Sequence, residues 1–288
     1  MLAKLLKYDF RALNRVMLPL QAGVLLATIV GSIVMRLAIS GINNGVNNFI
    51  SSNSANLPIE PILSFFAITM VILVFTAVAA SSYVTLFLIA RHFYQSFFQD
   101  DGYLTFTLPV TTAKSLLSKT IAGFVWMLIN ACILVLAVLL ISLVGFASEG
   151  LINADAVNVY GEIFSYVSNV PGFILVFEVT VFALLALVQG LLHVYVSLTI
   201  GSVVAKTHKV LAGIGIYIAI NIVVSTIVSI VSAIFGIASF DSLSMNSQYA
   251  MLYYAQPYIL PTLLIYAALV VGFFLFSRHL LATKLNLD

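Results

Sequence analysis

The chain has 288 residues, 62% of them hydrophobic and 8% charged. Water-soluble domains carry about 25% charged residues, so this composition excludes one, and a net formal charge of +2 singles out no partner class. The apolar residues fall in runs longer than about 18, enough for a helix to cross a hydrocarbon core of ~30 Å. An all-α integral membrane protein is therefore expected, as one transmembrane domain over residues 1–288.

Residues 1–15 come first. Leu2, Leu5, Leu6, Phe10 and Leu13 share one helical face, and Lys4, Lys7, Arg11 and Arg15 share the other. This pattern predicts an amphipathic interfacial helix with its basic side toward anionic membrane lipid. Asp9 breaks the pattern and calls for a cation from elsewhere in the chain.

The first span is expected over residues 16–40, with Pro19 tolerated in its first turn and Arg36 near its far end. It is too long for a signal-peptide core and lacks a clear small-residue cleavage site, so it reads as a retained span. Residues 41–58, rich in Gly, Asn and Ser, read as a solvated loop. The second span is expected over 61–90 and the third over 112–146. Both exceed the bilayer core at 1.5 Å per residue, which carries residues 91–110 between them well clear of it.

Residues 147–171 form an acidic outer segment with Glu149, Asp155 and Glu162. Spans four and five are expected over 172–205 and 210–238, joined by the basic turn Lys206-Thr207-His208-Lys209. Residues 239–256 carry Tyr249, Tyr253 and Tyr254, which suits an interfacial aromatic belt. Span six is expected over 257–277. With six spans and an inside N-terminus, every basic residue except Arg36 lies at a cytoplasmic end, a positive-inside pattern. Both termini are then cytoplasmic. Cys132, the single cysteine, lies inside an apolar run, so no intrachain disulfide forms.

The segment after span two is the most distinctive. Phe93, Phe97 and Phe98 stand at helical spacing. Asp100-Asp101-Gly102 ends that helix, since Gly takes the left-handed cap conformation without strain. Tyr103 to Leu108 alternates as extended chain does, and Pro109 with Thr111 or Thr112 starts the next helix. Asp101-Gly102-Tyr103-Leu104-Thr105-Phe106-Thr107-Leu108-Pro109-Val110, followed by Leu117-Ser118-Lys119, resembles the elbow between helices two and three of ABC type-2 permeases. These are six-helix subunits of bacterial exporters, similar here to peptide, lantibiotic or phenol-soluble-modulin export systems.

The resemblance implies a cytoplasmic coupling helix that docks on a separate ATPase subunit. It assigns the docking to Phe93, Phe97, Phe98, Asp100, Asp101, Gly102 and Tyr103, with Lys206 and Lys209 as a second contact. It further implies a bacterial cytoplasmic (inner) membrane, a second permease copy (the same chain or a related one) and an amphipathic peptide, toxin or drug as substrate. ATP and Mg would be bound by the partner ATPase.

Three absences agree with that division of labour. There is no G-x-x-x-x-G-K-[ST] to cradle phosphates, no H-E-x-x-H, and no clustering of the four histidines. No cofactor, catalytic residue, metal ligand or nucleic-acid partner is expected on this chain. The candidate substrate path comprises Glu178, Gln189 and His193 on the fourth span and Asn221, Ser225 and Ser229 on the fifth. Glu178 is the one carboxylate at membrane depth, where charge is costly and tends to be functional. Each of the other five also suits plain packing between spans. The runner-up function is a self-contained secondary transporter or channel, which needs coupling groups at the midplane. An intramembrane enzyme is a third class, and it lacks a catalytic cluster.

Overall fold

The computed structural model describes residues 2–51, 59–99, 110–148, 161, 165, 170–205, 207–240 and 250–283. Among them no strand occurs. Six long helices follow one another: α1 (Leu2–Ser51), α2 (Ile59–Phe98), α3 (Thr112–Ser148), α4 (Val170–Val204), α5 (Lys209–Phe240) and α6 (Ala250–Thr283). A helix satisfies its backbone groups internally, which an apolar surrounding demands. Among the described residues five stretches are long and apolar enough to cross a membrane: Leu2–Val34, Thr112–Leu140, Gly172–Val204, Lys209–Phe235 and Tyr258–Thr283. The chain is all-helical and suited to a multi-pass membrane protein.

Two expected boundaries are absent. Residues 1–15 do not form a helix of their own, because α1 runs unbroken from Leu2 to Ser51 with Pro19 inside it. Proline at position 19 removes only its own bond to the Arg15 carbonyl. Extending an existing helix needs no new nucleus, so α1 also takes in the Gly- and Asn-bearing start of the expected loop. Likewise residues 91–98 are the last two turns of α2, not a separate short helix. No residue between Leu86 and Phe98 is a helix breaker.

The helices divide into two compact units. One comprises Met1–Leu13, Leu86–Val125 and Tyr166–Asp288. In it α2 and α3 are antiparallel: Ile89 packs at Gly123, and Phe97 lies by Lys119 further toward the end of α2. α3 and α4 are antiparallel too, with Gly123 at Leu191 and Lys119 at Tyr195. α4 runs parallel to α6, as Phe182 meets Tyr266 and His193 meets Phe273. α4 and α5 are antiparallel, through His193 with Tyr217 and Gly201 with Gly213. The ends of α2, α4 and α6 and the starts of α3 and α5 therefore lie at one end of this unit. Its centre is α4, buried almost all round from Gln189 to Thr199.

The other unit comprises Asn14–Thr85 and Trp126–Ser165. Met17, Gln21, Thr28 and Ser32 form the buried stripe of its α1 segment, Val78, Ser81 and Thr85 that of α2, and Asn130, Ile133 and Ala137 that of α3. The spacing of three, four or seven keeps each set on one face. Thr28 is wholly buried yet satisfied, because its hydroxyl donates to the Val24 carbonyl one turn back.

Candidate functional site

The end of the first unit where α2 stops and α3 starts holds a buried charged knot. Asp9 is nearly enclosed, and its carboxylate is met from three sides. Lys119 Nζ donates to Oδ1 at 3.0 Å, Ser118 donates to Oδ2 at 2.6 Å, and His92 Nε2 lies 3.3 Å from Oδ1. Asp9 of α1, His92 of α2 and Lys119 of α3 are thereby joined. The cation that Asp9 requires is Lys119, itself 7% exposed. A buried charge persists only when paired and hydrogen-bonded, and both conditions are met here.

An aromatic layer lies against this knot. The Lys119 ammonium sits 5.5 Å from the centre of the Phe97 ring, within cation–π range. Phe93 stacks on Tyr195 of α4 at 3.9 Å, and the Tyr195 hydroxyl donates to the Lys119 carbonyl at 3.3 Å. Phe93 lies 5.0 Å from Phe97. α3 follows directly on Thr111, whose carbonyl accepts from the Lys114 and Ser115 backbone N–H groups. The end of α2 and the first turns of α3 are thus held by one cluster drawn from four helices.

The residues expected to dock an ATPase separate in this setting. Phe93 and Phe97 are fully buried in their own unit, and Phe98 is half-buried against Tyr94 and Phe93. Phe93 and Phe97 hold α2 in place and offer no face to another molecule, whereas Phe98 keeps part of its ring at the surface. Lys209 is half-buried at the start of α5. Asp100, Asp101, Gly102, Tyr103 and Lys206 lie outside the described residues.

The six candidate path residues are not gathered into one site. Gln189 and His193 are buried at the heart of α4, where the His193 ring stacks on Tyr217 at 4.3 Å. His193 Nε2 is buried without a hydrogen-bond partner. Asn221, Ser225 and Ser229 lie on an exposed face of α5, and Ser225 returns its hydroxyl to the Ile222 carbonyl. Glu178 is half-buried, four turns of α4 before His193.

The second unit has a polar centre of its own. Gln21 Nε2 donates to Thr85 at 3.1 Å. Asn130 Nδ2 donates to Gln21 Oε1 at 3.3 Å and Ser81 at 3.2 Å, while Ser82 donates to Asn130 Oδ1 at 3.1 Å. Three helices are tied by a linked set of amide and hydroxyl groups. In the sequence Gln21 and Asn130 are single amides in apolar runs and Ser81, Ser82 and Thr85 stand together in another, a coincidence of polar positions on three helices that is the one local signal of this centre.

Among the described residues no group of three His, Cys, Asp or Glu side chains is placed to hold a metal ion. Comparison of the chain with protein-family models, with curated proteins and with solved structures finds no match in any of the three.

Proposed function

We propose that the chain is the membrane permease subunit of an ATP-driven bacterial exporter, with residues 99–111 as the element on which a separate ATPase acts. One observation carries the reading: the end of α2 and the first turns of α3, which flank that segment, are rooted in the buried knot of Asp9, His92, Phe93, Phe97, Ser118, Lys119 and Tyr195. A force applied to the segment would be passed to four helices at once, because the linkage is short, close-packed and hydrogen-bonded. The resemblance of residues 101–110 to the elbow of ABC type-2 permeases supports the same assignment. In this reading the chain sits in the bacterial cytoplasmic membrane with both termini inside, pairs with a second permease copy, and exports an amphipathic peptide, toxin or drug. ATP and Mg bind the partner.

The test is recovery of the tagged full chain from its native membrane in mild detergent. A P-loop ATPase present in stoichiometric amount is the expected result. Asp100→Asn with Asp101→Asn should release that ATPase or uncouple its hydrolysis from transport, while the chain remains folded. Phe97→Ala is a poor probe, because emptying a fully buried aromatic site costs about 3–5 kcal/mol whatever the function. Full transport by the chain alone, with no nucleotidase, would instead favour a self-contained secondary transporter or channel.

A further inference from the structure

The first unit carries exposed cations that neither the knot nor the elbow uses. Lys4, Lys7 and Arg11 lie exposed along one stripe of α1, Arg91 near the end of α2, Lys114 at the start of α3 and Arg278 near the end of α6. Contacts between the helices place them in a common layer. Asp9 meets His92, Ser118 and Lys119, Lys119 meets Tyr195, and His193, two residues before Tyr195, meets Phe273. Lys7, Arg11, Arg91, Lys114 and Arg278 each lie within five residues of one of these anchors, or ~7.5 Å along a helix at 1.5 Å per residue. The acid of α1 is withdrawn from the surface, since Asp9 is buried on Lys119. Glu178, the other described carboxylate of this unit, stands 17 residues before Tyr195 on α4, or ~25 Å away. The layer is therefore basic throughout its described, exposed positions.

We infer that this layer is a binding belt for anionic phospholipid headgroups. Helix register identifies the partner. Arg91 shares a face with Phe87, Lys114 with Leu117 and Arg278 with Leu275, at spacings of three or four residues. Phe87 is 66% exposed, Leu275 53% and Leu117 37%, and in each pair the apolar member lies toward the long apolar part of its helix. Arg91 and Arg278 thus stand directly at the edge of an outward apolar surface, and Lys114 beside one partly exposed leucine, where a snorkelling side chain meets a headgroup phosphate. The alignment of base and outward apolar residues along α2 and α6 suits the boundary between hydrocarbon and headgroup. The inference requires a membrane setting for the chain but no ATPase.

The full chain is reconstituted in nanodiscs of phosphatidylcholine with or without phosphatidylglycerol. Retained lipid is measured by native mass spectrometry and stability by the thermal unfolding midpoint. Phosphatidylglycerol is expected to be enriched on the wild-type chain and to raise its midpoint. High salt should reduce both effects, and free phosphate should reproduce neither. In Arg91→Gln, Lys114→Gln and Arg278→Gln, affinity should fall about fivefold for each base removed. Arg91→Lys, Lys114→Arg and Arg278→Lys should restore it. Equal midpoints in the two disc types, or an undiminished phosphatidylglycerol response in the triple Gln variant, would overturn the belt. So would a triple variant that loses only a co-purifying protein, which would assign these bases to an acidic protein surface. If the triple Gln variant does not fold, the wild-type comparison between disc types and salt levels decides alone.

Discussion

Lys119 is the residue on which most of the described site converges. Its ammonium meets Asp9 and the Phe97 ring, and its carbonyl meets Tyr195. Removing one partner of a buried pair strands the other charge, at a cost of about 3–5 kcal/mol, whereas replacing both by apolar groups of similar volume is close to neutral. Asp9→Asn and Lys119→Met should each lower the denaturant midpoint of the detergent-solubilised chain sharply, and Asp9→Leu with Lys119→Met should recover most of the loss. A loss in the double variant equal to the sum of the two single losses would show that the pair is not coupled. Asn130 sets a second case. Asn130→Leu breaks three hydrogen bonds in the other unit, and interhelical bonds of this kind are worth about 0.6–2 kcal/mol each. Its midpoint should therefore fall by an amount comparable to that of Lys119→Met.

At the scale of elements, two glycines decide how closely helices approach. A Cβ on Gly201 of α4 would come within 2.5 Å of the Gly213 nitrogen and 2.6 Å of its Cα on α5, and backbone has no room to yield. A Cβ on Gly123 of α3 would meet Ile89 Cγ2 at 2.9 Å and Leu191 methyls at 3.1 and 3.2 Å, which are side-chain ends that can turn aside. Gly201→Ala should thus force α4 and α5 apart and cost more than the ~1–3 kcal/mol of ordinary overpacking, while Gly123→Ala should fall within or below that range. Thermal unfolding of the two variants in one detergent ranks them. A larger loss for Gly123→Ala would contradict the packing described.

For the whole molecule, the directions of the helices in the first unit set a topological prediction. Since the ends of α2, α4 and α6 and the starts of α3 and α5 share one end, Gln99, Thr111, Thr207 and Thr283 should all face one side of a membrane. All four are exposed. Single cysteines at these positions, in a Cys132→Ser background, should react with an impermeant maleimide from the same side only. Labelling of Thr207→Cys from the opposite side to Thr111→Cys would exclude an even number of crossings between them.

Fold class was legible in composition, because six apolar runs leave the backbone no alternative to helices. Helix positions followed from run length: the expected 112–146 and 172–205 lie within two residues of α3 and α4, while the expected 16–40 is only part of the longer α1. Asp9 could be marked as misplaced on its own helical face, for periodicity is local. Its partners could not be named, since Lys119 lies 110 residues away and nothing short-range relates the two. For the same reason Phe93 and Phe97 read as an outward aromatic handle: helical spacing says which residues share a face, and only the packing of α4 against that face turns it inward. The amino-acid sequence by itself determined a helical, apolar, basic-ended chain, through local backbone and solvation physics. Tertiary structure alone decided which polar side chains meet, because those meetings depend on how distant helices settle against one another.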